Sequence, residues 1–160
     1  MANTYTQLYI HVVFAVKGRA NVISKSWRDQ LYQYITGIIK NKNQKLMIIN
    51  GVGDHLHILL SLKPDCILSE LIRDIKSNSS KWVNDNGYVM GKFEWQSGFG
   101  AFSLGATQLT ALTNYIKNQE EHHRKKTFRE EYIEFLKDYE IDFKSEYIFE
   151  DLGETPKGAD

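Results

Sequence analysis

Two histidines one residue apart, His55 and His57, stand inside the apolar run GVGDHLHILL, residues 51–60. Side chains at i and i+2 of a strand share a face, so a strand here projects both imidazoles together and turns Leu56 and Ile58 the other way, into a core. Two neutral imidazoles on one face begin a divalent-metal site, which still needs a third ligand and an open position if it is to do chemistry. Standing alone, the same pattern is also that of two half-exposed polar positions on a solvent face.

Further along, Tyr115 and Gln119 are four apart and fall one above the other on a helical face, with His122 and His123 a turn beyond. A tyrosine nucleophile needs help, because a phenol with a pKa of about 10 is protonated at neutral pH. A divalent ion gives that help by polarising a phosphate oxygen, and the amide oxygen of Gln119 can complete a mixed His/His/Gln sphere around it. Asp54, directly before the histidine pair, either orients an imidazole as an acceptor or belongs to the turn. His11, in the first strand, is a possible neighbour of the site, whereas His122 and His123 read as helix-surface or tail-packing residues rather than ligands.

The flanking sequence must supply the elements that position these groups. TYTQLYIHVVFAVKG reads as a first strand closed by a turn at Lys17-Gly18. Trp27, Leu31, Tyr34, Ile35, Ile38 and Ile39 recur at helical spacing after a cap at Ser24 or Ser26. LMIINGVGDHLHILLSL gives two β-rich runs around Gly51 and Gly53, a hairpin ending at Lys63-Pro64. Ile67, Leu68, Leu71, Ile72, Ile75 and Trp82 form a second helical stripe. FEWQSGFGAFSL, residues 93–104, reads as a strand with a bulge or close backbone approach at Gly98 and Gly100. A third long helix starts near Gly105 or Ala106 and carries Tyr115, and a short amphipathic helix follows Thr127. This order predicts an α+β fold of the ferredoxin-like, split βαβ kind. A four-stranded antiparallel sheet carries helices on one face, with an extra C-terminal catalytic helix and a short tail helix beside the other.

At 160 residues with 42% hydrophobic content, the chain is sized for one domain, taken as residues 1–160 with an ordered core over 5–150. The lone Cys66 cannot form an internal disulfide, no secretory leader is evident, and no apolar run reaches the roughly 20 residues of a membrane span. The expectation is a cytoplasmic protein with no membrane partner. Although the formal net charge is zero, residues 1–127 hold 16 Lys/Arg against 9 Asp/Glu, while residues 128–160 hold 4 against 11. A basic body is compatible with a bound polyanion, and an acidic tail with solubility or competition for the same surface. Lys17, Arg19, Arg73, Lys76, Lys81, Arg124 and Lys125, with Lys126 in the same run, are the candidate phosphate contacts, which would make binding salt-dependent. Trp95, Phe99 and Phe102 are either core residues or rings on which an unpaired base stacks. No carboxylate is spaced as an evident general base beside the histidine pair, which weighs against a small-molecule metal hydrolase.

His55-Leu56-His57 within GVGDHLHILL, followed by YIKNQEEHH from Tyr115 to His123, resembles the single-tyrosine HUH transposases of the insertion sequence 200/605 family. YIHVVFAVKGR, IKSNSSKW, WQSGFGAFSL and EEYIEFLKDYEIDF look like segments of the same family. The resemblance implies a DNA transposase that cleaves and rejoins single-stranded DNA at the hairpin-marked ends of a mobile element. It implies that Tyr115 attacks the scissile phosphate, leaving a 5′-phosphotyrosine and a free 3′ hydroxyl, while His55, His57 and Gln119 hold Mg2+ or Mn2+. A homodimer is also implied, in which the tyrosine helix of one subunit completes the site of the other. Two other readings stay open: a domesticated relative acting on repeat hairpins elsewhere in a genome, and a non-cleaving module that binds single-stranded nucleic acid.

Overall fold

Alternation along the strands decides which face each residue serves, and it builds two cores of unequal size. The computed structural model describes residues 3–123 and 125–141, the side chain of Arg19 excepted. The chain runs β1 (Tyr9–Ala15), α1 (Arg28–Asn41), β2 (Lys45–Val52), β3 (His55–Ser61), α2 (Leu68–Asn86), β4 (Gly100–Leu104), α3 (Leu109–Lys117), α4 (Gln119–His123) and α5 (Phe128–Asp138). The sheet has the order β2-β3-β1-β4 with every pair antiparallel, as the split βαβ reading expects. No helix among the described residues is long and apolar enough to cross a membrane.

On one face Val12, Phe14, Leu56, Ile58 and Leu60 meet Leu31, Ile35 and Ile39 of α1 and Leu71, Ile72, Ile75 and Val83 of α2. Each such side chain stabilises the fold by about 1.5–3 kcal/mol on burial, so most of the hydrophobic driving force lies here. Ser79 interrupts the buried stripe of α2 because its hydroxyl accepts the Trp95 indole N–H at 2.9 Å. On the other face Val13, Ala15 and Phe102 pack under Phe128, Tyr132 and Leu136 of α5. Thr127 caps α5 by accepting the Glu130 backbone N–H at 3.2 Å. This smaller core surrounds the histidine pair.

Two elements differ from the sequence expectation. The strand expected over 93–104 shrinks to Gly100–Leu104, preceded by one bridge between Val16 and Trp95. Gly98 takes a positive φ of 85°, and the carbonyls of Gln96 and Gly98 accept from the Lys76 ammonium at 2.6 and 2.8 Å. The expected third long helix breaks at Asn118 into α3 and α4. Asn50, reaching from β2, donates to the carbonyls of Ile116 and Lys117 at 2.9 and 3.1 Å and so ties the last turn of α3 to the sheet. Arg124 and the acidic stretch after residue 141, part of the expected ordered core, lie outside the described residues.

Candidate active site

β3 presents His55 and His57 to the face that α5 closes over, and both imidazoles are fully buried rather than half-exposed. Phe128 stacks on the His55 ring with centroids 4.2 Å apart. Asp54 Oδ1 lies 2.7 Å from His55 Nδ1, so the ring N–H donates there and Nε2 keeps its lone pair. Burial pushes the His55 pKa down to about 4, which leaves the ring neutral at pH 7.

That lone pair faces a second acceptor. His55 Nε2 lies 3.2 Å from Gln119 Oε1, and Gln119 Nε2 is buried without a hydrogen-bond partner. A reversed amide would donate to His55; in the present orientation, two lone pairs oppose each other across a gap that a cation would satisfy. The donor set therefore fits a divalent ion.

His57 is held from both sides. Its Nδ1 lies 2.8 Å from His11 Nε2, the two rings stacking at 5.0 Å, and its Nε2 lies 2.8 Å from Glu131 Oε1. A carboxylate only accepts, so the Nε2–H of His57 donates to Glu131. Burial and the neighbouring His57 hold His11 well below the ordinary imidazole pKa, and its Nδ1 has no partner. For His57 Nε2 to ligate an ion it must shed its proton, leaving Nδ1–H to donate to His11. His11 is placed to accept that hydrogen bond, as Asp54 already does for His55.

Glu131 is the hub of the site. It is only 2% exposed, and its Oε2 accepts from the Tyr115 hydroxyl and lies 3.2 Å from His123 Nε2. Burial opposes its ionisation, yet the imidazoles of His57, His123 and His55 hold it ionised, well below the usual carboxylate range. Burial and then the Glu131 charge push Tyr115 above its ordinary value, so the phenol carries its proton. His122 stacks on the Tyr115 ring at 4.3 Å. Beside it opens a cavity of about 390 Å³, lined by Tyr115, His122, Lys125, Lys126, Glu131 and Phe135 among others.

His55, His57, Tyr115 and Gln119 come together within one chain, although Tyr115 and Gln119 stand on separate helices rather than one. Lys125 borders the cavity. Lys17 pairs with Glu94 at 2.9 Å and Lys81 with Asp85 at 2.7 Å, while exposed Arg73 lies 3.7 Å from Asp74. Lys76 is engaged with backbone carbonyls and lies over the Phe14 ring, so it is tied into the fold. Trp95 and Phe102 are buried and Phe99 packs against the larger core. The spacing argument missed Glu131 and read His123 as a helix-surface or tail-packing residue, and its contact with Glu131 of α5 is of the second kind. Ligand atoms of His55, His57, His123 and Glu131 all lie within 4.8 Å of one another.

With this geometry in view, the relatives fall into place. The profile of the family described as IS200-like transposase matches residues 4–119. Transposases of insertion element IS200 from Salmonella typhimurium LT2 and Salmonella typhi are each 24% identical over 124 residues, covering 74% of this chain and 81% of theirs. The fold is shared with a candidate transposase from Deinococcus radiodurans R1 at a TM-score of 0.61 and 18% identity, over 74% of this chain and 95% of that one. It is also shared with a REP-associated tyrosine transposase bound to a REP hairpin, at a TM-score of 0.59 and 15% identity, over 77% and 73% of the two chains. The profile spans well over half the chain, including the histidine strand and both Tyr115 and Gln119: the chain belongs to the IS200-like transposase family.

Proposed function

We propose that this single-domain protein cleaves and rejoins single-stranded DNA next to hairpins through a 5′-phosphotyrosine on Tyr115, in the cytoplasm where cellular DNA lies. One observation carries the reading: the Tyr115 hydroxyl and the His57 imidazole share the two oxygens of one buried carboxylate, Glu131. His55, His57 and Gln119 would hold Mg2+ or Mn2+, which when bound polarises the scissile phosphate and offsets the negative charge beside the phenol.

The chain's own residues supply the rest. Asp54 and His11 orient the two imidazoles, and α5 keeps bulk water from them. As the phenol oxygen bonds to phosphorus, its proton passes to Glu131 Oε2, and the bond to the 3′ oxygen breaks, that oxygen leaving as a hydroxyl after protonation by solvent. The phosphotyrosine retains the energy of the broken bond, so an incoming 3′ hydroxyl can reverse the step. Each chain holds its own tyrosine beside its own histidines, so on this reading cleavage does not require a partner. A homodimer that exchanges α3 would rebuild the same site from two copies. Lys125 and Lys126 line the cavity, Lys126 paired with Glu134 at 2.6 Å, and would serve the flanking phosphates.

A second reading, action on dispersed hairpin repeats rather than on the ends of a mobile element, draws support from the fold relative bound to a REP hairpin. Both readings share one test. Labelled hairpin-flanked single strands are incubated with Mg2+ or Mn2+ and run on a denaturing gel; a covalent adduct is expected for the wild type and none for Tyr115→Phe. Equal adduct from the two proteins, or none from the wild type, overturns the proposal.

A further inference from the structure

We propose that Glu131, delivered by α5, is itself a ligand of the divalent ion, an inference that rests on reading this site as the ion-dependent cleavage centre. Neighbouring donor atoms bound at about 2.0–2.2 Å in the octahedral geometry of Mg2+ or Mn2+ stand roughly 2.8–3.1 Å apart. Glu131 Oε1 lies 3.6 Å from His55 Nε2 and 2.8 Å from His57 Nε2, so it faces the two imidazole nitrogens that must ligate. The shorter separation, a hydrogen bond here, already equals ligand spacing once His57 Nε2 gives up its proton, and the longer one needs only a small approach.

Charge points the same way. An ionised carboxylate buried to 2% exposure is costly unless a cation or a metal compensates it. Among the described residues, the groups that hold Glu131 are the imidazoles of His55, His57 and His123 and the Tyr115 phenol, with no Lys or Arg among them. A divalent ion between the carboxylate and the imidazoles supplies the compensating charge. A negatively charged oxygen is also a stronger ligand for such an ion than the neutral amide of Gln119. With two or three imidazoles and a carboxylate converging, the set favours Mn2+ over Mg2+. Oε1 then serves the ion while Oε2 keeps the nucleophile, so one side chain fixes the distance between them.

Mn2+ binding to the full chain without DNA, followed by loss of the free-ion electron paramagnetic resonance signal, tests this directly. Glu131→Gln keeps the size and a hydrogen-bonding oxygen; it should weaken Mn2+ binding at least tenfold. Mn2+ affinity within threefold of wild type for Glu131→Gln overturns the assignment. A second measurement needs no variant: infrared difference spectra of protein with 13C-labelled glutamate should show a carboxylate stretch that shifts on adding one equivalent of Mn2+. An unshifted band also overturns it, whether or not Glu131→Gln folds. A wild type that binds Mn2+ through Glu131 but never forms a Tyr115 adduct refutes the cleavage reading and leaves this one standing.

Discussion

Glu131 Oε1 and His57 Nε2 meet at 2.8 Å across 74 positions of sequence. The contact makes α5 part of the site's wall and chemistry rather than a trailing helix, because Phe128, Tyr132 and Leu136 on the same helix seal the sheet face around it.

Tyr115→Phe should abolish the covalent adduct while leaving the fold intact. The lost hydroxyl removes one hydrogen bond to a carboxylate, about 1.5–3 kcal/mol in general, and Glu131 keeps His57 and His123. Thermal unfolding should move down by about 3–12 °C. A fall well beyond that would show the hydroxyl to be chiefly a structural anchor.

His57→Ala is a harsher change than its position on a strand suggests. It strips a buried carboxylate of its shortest imidazole partner, and losing a hydrogen bond to a buried charged group costs about 1.5–3 kcal/mol before the cavity is counted. Urea denaturation should show that loss, with His57→Gln recovering part of it because an amide can still donate to Glu131. Wild-type stability in His57→Ala would contradict the buried pairing.

Acid should destabilise the protein, and the sign follows from the site. His55 has a folded pKa near 4 against 6.5 for a free imidazole, so between those values the unfolded chain takes up a proton that the folded one refuses. Stability therefore falls as pH drops from 6.5 toward 4, by up to about 3 kcal/mol from this group. His11, also lowered, acts in the same sense, and Glu131 adds a loss below 4.5 as unfolded carboxyls protonate first. Urea midpoints at pH 7.5, 5.5 and 4.5 should decline in that order; a flat profile would contradict the buried neutral imidazole.

Gly51→Ala should disturb the site without touching a ligand. A Cβ there would stand 2.1 Å from the backbone oxygen of His55, so the hairpin must open at the first residue of the histidine strand. We expect a loss of about 2 kcal/mol or more, comparable to overpacking elsewhere, together with weaker Mn2+ binding. Metal affinity equal to wild type would show that the strand end absorbs the shift.

The fold was readable because its signals are periodic: Leu31, Ile35 and Ile39 repeat every four residues, and Leu56, Ile58 and Leu60 every two. The pairing of His55 with His57 followed from the same parity. Burial of that pair did not, because it depends on α5 returning to the sheet. Glu131 left a trace in the pattern: it sits three residues after Phe128 and five before Leu136, on the stripe that otherwise packs against the sheet. A charged residue on an apolar helical stripe signals a buried partner, but spacing cannot say which one. The break at Asn118 was illegible for a similar reason, since the side chain that secures it, Asn50, belongs to a distant strand.

The family profile stops at residue 119, whereas α5 begins at Phe128. A fragment trimmed to the profile would keep its strands and the larger core, but Val13, Ala15, Phe102 and both imidazoles would stand bare on the sheet. Such a surface promotes self-association and lets water compete for every ligand. The smallest piece worth expressing therefore ends after α5, not where recognisable ancestry fades.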